Sequence, residues 1–149
     1  AKSHKLFILI SGPALGYVKK RLTTAGIAFY HTGYLLHAYA VAPYFKALDI
    51  YLISSRIEGG PKAALEAPAC GIPLVSTAVG MVRDIVQHGV DGLVTAVDDR
   101  QALVQACEAI INDADLVATL AQKGRQLAEH HSWQKIAQRY YHELYRPLL

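Results

Sequence analysis

Three observations predict an α/β fold for this chain, a Rossmann-like doubly wound parallel sheet followed by a helical tail. Short apolar runs, each bounded by glycine, proline or serine, recur through the first hundred or so residues and read as buried strands. Stretches with helical spacing lie between them, so the order is strand, helix, strand. From Asp99 onward only the helical spacing remains. Composition agrees, because 52% of the 149 residues are hydrophobic, ample for the core of one domain.

In chain order, Leu6-Phe-Ile-Leu-Ile10 is a fully apolar strand and Ser11-Gly12-Pro13 the turn that follows. The next helix runs to Thr24, with Leu15, Val18 and Leu22 inward and Lys19, Lys20 and Arg21 towards water. Gly26 ends it, and residues 27–31 form a second strand that leads into Thr32-Gly33-Tyr34-Leu35. Residues 41–48 read as a short helix packing Tyr44, Phe45 and Leu48 inward. A third strand over 50–53 ends in Ser54 and Ser55. Pro61 suits the first position of a helix, Ala63, Ala64, Leu65, Glu66 and Ala67 continue it, Gly71 stops it, and Pro73-Leu-Val-Ser-Thr77 is the next strand. After Gly80 a short helix passes through Val82, Ile85 and Val86, and Gly89-Val-Asp-Gly92 turns into a last strand over 93–97. Three apolar stripes complete the chain: Leu103, Val104, Cys107, Ile110 and Ile111; Leu116, Val117, Leu120 and Leu127; Trp133, Ile136, Ala137, Tyr140, Tyr141 and Leu144. Asp113 and Ser132 are the expected N-caps. Tyr140, Tyr141 and Tyr145, beside Arg139 and Arg146, are expected to be packed aromatics with solvated arginines rather than a nucleic-acid or membrane patch.

Residues 49–77 carry the chemistry. In a βαβ unit the loop after the first strand lies at the carboxyl edge of the sheet, where the following helix directs its free N–H groups outward. Gly59 and Gly60 let a ligand approach the backbone. Glu58 stands before the helix and Glu66 within it, and five helical residues rise about 7 to 8 Å, so the two carboxylates suit two parts of one elongated, hydroxyl-rich ligand. Pro68, inside this helix, removes one hydrogen bond and is expected to kink it near Ala64.

The run Ser-Ser-Arg-Ile-Glu58-Gly-Gly-Pro-Lys62-Ala-Ala-Leu-Glu66-Ala-Pro-Ala-Cys-Gly-Ile-Pro-Leu-Val-Ser-Thr77 resembles the donor-site signature of the group 1 glycosyltransferases, retaining enzymes of the two-domain GT-B fold. That resemblance implies that Glu58 is the catalytic carboxylate. It implies that Gly59, Gly60, Pro61 and Lys62 line the pocket for donor sugar and diphosphate, and that Glu66 holds ribose. It also sets Tyr34 and Leu35 beside the nucleotide base. Gly12 resembles part of the family's Gly-Asp-Gly-Pro turn, although Ile10 and Ser11 replace its first two residues. Two readings of that turn stand, an ordinary βα turn and a donor contact; Tyr34 likewise stacks on a base or simply packs. Asp84 sits where the family usually has Glu, and a structural role is expected for it. The Ser132-Trp133 pair resembles the start of the family's closing helix, which crosses back to the N-terminal domain.

What the resemblance implies is the donor-binding half of a hexosyltransferase whose substrate is a nucleoside-diphosphate sugar, UDP-sugar above all, with no cofactor and no metal. The acceptor-binding N-terminal domain and the first βα unit of the donor domain are expected to be missing, which would leave this chain by itself little or no catalysis. Loss of that central strand predicts either direct pairing of its neighbours or a homo-oligomer that exchanges strands at the unpaired edge. Lys62, Arg56 and the helix N-terminus would then neutralise the leaving diphosphate alone. The rival readings are a nucleotide-sugar epimerase or phosphorylase-like enzyme, and a non-catalytic flavodoxin-like nucleotide- or partner-binding module. A net charge of +3, from 15 basic and 12 acidic residues, is too mild and scattered for nucleic acid. Two cysteines do not make a disulfide framework and fit a cytoplasmic protein, at most peripheral at the inner face of the membrane. The seven histidines lack metal-site spacing, and no apolar run reaches transmembrane length.

Overall fold

The computed structural model describes residues 5–13, 16–35 and 37–148. The chain divides after Tyr44 into two compact units.

In the first unit, β1 (Phe7–Ile10) and β2 (Ala28–His31) pair in parallel, Phe7 opposite Ala28 and Ile10 opposite His31. Between them runs α1 (Gly16–Thr24). The Tyr44 hydroxyl, in the last turn of α2 (Ala38–Lys46), donates to the Leu9 carbonyl of β1 at 3.3 Å. α1 departs from expectation: none of its residues is buried and Val18 is exposed, while Leu15 lies outside the described residues. A two-stranded ribbon offers too narrow a surface to cover the apolar stripe of a helix.

The second unit holds three parallel strands in the order β3 (Tyr51–Ile53), β4 (Leu74–Thr77), β5 (Leu93–Thr95). Every β4 residue is buried, because this middle strand has a strand on each side and helices over each face. Leu74 faces a cluster with Ile53, Ala64, Val79, Val82 and Val86. Its neighbour Val75 faces the opposite cluster, with Leu93, Ala106, Ile110 and Leu120. The first face is covered by α3 (Ala63–Ala69) and α4 (Val82–Ile85), the second by α5 (Arg100–Asn112) and α6 (Ala114–His130), with Leu127 of α6 reaching round to the first. Phe45 is buried edge-on against Tyr51, ring centroids 5.2 Å apart, as its inward assignment requires.

α3 ends in a Schellman motif, which shows why Gly71 is there. Its φ is +80°, its N–H donates to Pro68 O at 2.8 Å, and the Ile72 N–H donates to Ala67 O at 3.1 Å. The described strands form two sheets, not the single ladder expected if the strands flanking a lost one paired directly.

The C-terminal stripe is the main correction. α7 (Trp133–Tyr140), a π-helical turn (Tyr141–Tyr145) and a final 3₁₀ turn (Arg146–Leu148) contain no buried residue, and Trp133 is 78% exposed. Tyr140, Tyr141 and Tyr145 are exposed rather than packed. Helical spacing identifies an apolar face but carries no information about what covers it. In α5, Ala106 and Ile110 are buried, with Leu103 and Cys107 partly buried beside them, while Val104 is exposed. Asp113 caps α6 as expected, accepting from Leu116 N at 2.9 Å, and Asp99 does the same for α5 from Ala102 N at 2.9 Å. Ser132 occupies the N-cap of α7 without a side-chain capping bond.

Candidate functional site

The residues singled out in the sequence fall into one cluster in each unit. In the first, Gly12 has φ +78°, its N–H donates to Gly33 O at 2.8 Å, and its own carbonyl meets His31 Nε2 at 2.7 Å. The turn after β1 is thus fastened to the loop after β2 at the carboxyl ends of both strands. On that loop Tyr34 is 67% exposed and Leu35 half-buried, so the packed alternative for Tyr34 does not hold.

In the second unit, Glu58, Gly59 and Gly60 form an exposed loop between β3 and α3. Glu58 does not cap the helix. The N-cap position is Lys62, with no side-chain capping bond, and regular helix starts at Ala63, two residues later than Pro61 suggests. Ala64 N–H to Pro61 O at 2.9 Å shows that the first turn nonetheless winds from the proline. The Glu58 carboxylate instead accepts from Ser55 Oγ at 2.8 Å. Ser55 is in turn fixed from beneath, because the buried Thr77 Oγ1 donates to its carbonyl at 2.6 Å. A hydroxyl on the central strand therefore positions the backbone that positions the acid. Sequence reading missed both hydroxyls, although Ser54-Ser55 and Ser76-Thr77 at the ends of neighbouring parallel strands were a visible signal.

Glu66 lies one turn into α3 and is exposed, its N–H bonded to Lys62 O at 3.0 Å. The helix is seated on α6 through Pro68, which is fully buried and stands so near Gly124 that a Cβ there would lie 3.0 Å from the proline Cβ. Pro68 is the next-to-last residue of α3, so the hydrogen bond it removes belongs to the closing turn.

Arg56 pairs with Asp98 at the surface, both side chains well exposed. Its Nε lies 2.6 Å from Asp98 Oδ1, and that carboxylate holds the guanidinium more firmly in its charged form. Asp98 has φ +66°, the sole described non-glycine residue with positive φ; β5 ends at Thr95, two residues before the predicted Val97. Lys62 is exposed on the opposite flank of the glycines. Asp84 makes a distant 3.8 Å contact with Arg83, both side chains well exposed, which is worth little.

Short parallel strands, crossover helices and acids at the strand-to-helix junction make this the Rossmann-like half of a GT-B protein. A model of the family described as "Glycosyl transferases group 1" matches residues 2–113. The chain belongs to that family, and its fold is that of the family's C-terminal domain. It is 33% identical over 125 residues to the lipopolysaccharide core biosynthesis mannosyltransferase LpsB of Rhizobium meliloti, a match covering 76% of this chain and 34% of the relative. Among solved structures it resembles sucrose-phosphate synthase from Thermosynechococcus elongatus, with 27% identity and a TM-score of 0.80 over 97% of this chain and 38% of that one. It also resembles Anabaena Alr3699/HepE in complex with UDP and glucose, with 26% identity and a TM-score of 0.76 over 92% of this chain and 40% of that one. The chain thus spans about a third of the length of the curated relative.

Proposed function

We propose that this chain is the donor-binding half of a retaining hexosyltransferase and that its ligand is a nucleoside-diphosphate sugar, a UDP-sugar in the first instance. One observation carries the reading: an exposed carboxylate, Glu58, held by Ser55 at 2.8 Å, stands before two exposed glycines at the carboxyl edge of a parallel sheet, with Glu66 one turn along the next helix. A ligand with hydroxyls at both ends and a diphosphate between matches that order of groups.

In this reading Glu58 accepts from sugar hydroxyls, and the backbone N–H groups from Gly59 to Lys62 bind the sugar and diphosphate. Glu66 accepts from the ribose hydroxyls, and the family resemblance assigns Tyr34 and Leu35 to the base and Gly12 to the diphosphate. The bond from the anomeric carbon to the diphosphate oxygen breaks, and a bond to an acceptor oxygen forms on the same face. The acceptor proton passes to the departing diphosphate. Lys62, Arg56 and the N-terminus of the helix offset the charge that develops there, Arg56 from its exposed pair with Asp98. No metal and no cofactor is required. The acceptor-binding domain and the first βα unit of the donor domain complete the enzyme. The exposed stripe on α7 is the surface that such a domain covers. A strand-exchanged homo-oligomer at the open sheet edge and a cytoplasmic or inner-membrane-face location belong to the same reading. The similar HepE structure, a complex with UDP and glucose, supports the choice of UDP.

A thermal-shift panel of UDP, GDP, ADP and their sugar conjugates tests this. Ligand at a hundred times its dissociation constant adds about 2.7 kcal/mol to stability. One base should raise the Tm of the chain and fail to raise that of Glu66→Ala. Equal responses in the two proteins would refute the assignment of Glu66.

A further inference from the structure

The glycine loop that carries Glu58 rests on a second glycine twenty residues further along. Gly80, in the turn after β4, has φ +46°, and a Cβ on it would lie 2.2 Å from Gly59 O and 2.5 Å from Glu58 O. Carbon and oxygen do not approach that closely, so the two backbones touch only because residue 80 has no side chain. The contact is also bonded, since the Met81 N–H donates to Gly59 O at 3.1 Å. The thioether closes the other side: Met81 Sδ would be 3.3 Å from a Cβ on Gly60.

We propose that Gly80 is a positioning residue for sugar binding, setting the height of the Glu58–Gly59–Gly60 backbone above the sheet, with Met81 as the stop against which Gly60 rests. The inference rests on the donor-site reading above and adds a determinant for its sugar subsite. The direction of yielding follows from burial. Val79 and Val82 are in the core, so the turn that carries Gly80 is anchored, whereas Glu58, Gly59 and Gly60 are exposed. A side chain at 80 therefore pushes the loop, not the turn. Restoring ordinary contact from 2.2 Å requires roughly 1 Å of movement, enough to break a hydrogen bond between Glu58 and a sugar hydroxyl. Glu66 lies on α3, which is seated on α6 and packed through Ala64 on the anchored Val79 and Val82, so the ribose subsite is not carried by the loop that moves.

The experiment compares the full chain with Gly80→Ala, Met81→Ala and Gly89→Ala. Gly89 also has positive φ, +77°, but open space where a Cβ would go, so it reports backbone strain without the push. Titrations use UDP and UDP-glucose. Gly80→Ala should weaken UDP-glucose about ten- to a hundredfold, the worth of a hydrogen bond to a charged group, while UDP changes by less than about twofold. Met81→Ala should show the same split in milder form, and Gly89→Ala should show none. A merely structural lesion would weaken both ligands together. Amide shifts of Glu58, Gly59 and Gly60 without ligand give an independent readout, expected to move in Gly80→Ala and not in Gly89→Ala. Unmoved loop amides, or wild-type UDP-glucose affinity in both Gly80→Ala and Met81→Ala, would overturn the proposal. If the wild-type chain binds neither ligand while the loop amides still move in Gly80→Ala, the donor reading fails and the positioning contact stands.

Discussion

Replacing Gly124 by alanine sets two known effects against each other. Gly124 lies inside the seventeen-residue α6, where glycine costs about 1 kcal/mol relative to alanine. Propensity alone predicts stabilisation. The added Cβ would however lie 3.0 Å from Pro68 Cβ and 3.2 Å from Asp91 O. Neither neighbour can swing aside, one being a fully buried proline ring and the other a backbone carbonyl. Overpacking of this kind costs about 1–3 kcal/mol, and rigid neighbours place it in the upper half of that range. The expected net effect is a loss of about 1–2 kcal/mol, or a Tm lower by about 2–8 °C at this chain length. Urea titrations followed by far-UV circular dichroism measure it. In a Pro68→Gly background, which removes the Cβ that is struck, the same replacement should cost at least about 1 kcal/mol less. α3 pushed off its seat also carries Glu66, so the nucleotide response should weaken alongside stability. Gly124→Ala more stable than the parent, with no coupling to Pro68, would refute the packing argument.

Other expectations concern single groups. Thr77→Val leaves the Ser55 carbonyl without its 2.6 Å donor and should cost about 1–3 kcal/mol in a urea titration, with a weaker sugar response because Ser55 holds Glu58. Asp99→Ala and Asp113→Ala each remove a capping bond and should each lower stability by about 1 kcal/mol, additively, since they cap different helices. Burial pushes the Asp91 carboxyl above its ordinary 3.8. A raised folded-state value means that protonation favours the fold, so that contribution is complete below the unfolded value and lost as pH rises through the folded one. Asp91→Asn keeps an acceptor for the Gln87 N–H, bonded at 2.8 Å in the parent, without the charge. It should have the higher urea midpoint at pH 7, and the gap to the parent should close as the pH falls below the unfolded value, to about pH 3; a gap independent of pH would contradict this.

Strand and helix order could be read along the chain because each local signal had a local cause. Gly71 stops α3 because only glycine sits easily at φ +80°, and Pro61 starts the first turn because its missing N–H has no partner to lose. The two acids stood out for the same reason, as one continuous segment. What stayed illegible was tertiary. The apolar spacing of α7 is as regular as that of α6, yet one face is bare and the other buries Leu120, because cover comes from elsewhere in the fold. Ala106 was missed in α5 because a small side chain gives a weak hydrophobic signal while fitting a tight contact. Gly80 read as a mere break before a helix. Its role depends on the approach of a loop twenty residues away, which no local pattern records. Ser55 and Thr77 were visible as hydroxyls but not as a pair, since the link requires the register that sets Ile53 beside Ser76.

β4 lies between two strands with all four residues buried. Its amides can exchange with deuterium only when the second unit opens globally, while those of the exposed α1 exchange through local fraying. The glycine loop springs from β3, the strand paired with β4, without sharing that protection. Any slowing of exchange at Gly59 or Gly60 on adding nucleotide sugar would therefore come from the ligand itself, against a central strand whose rate follows global stability. Deuterium uptake thus separates occupancy of the loop from stabilisation of the whole in one time course.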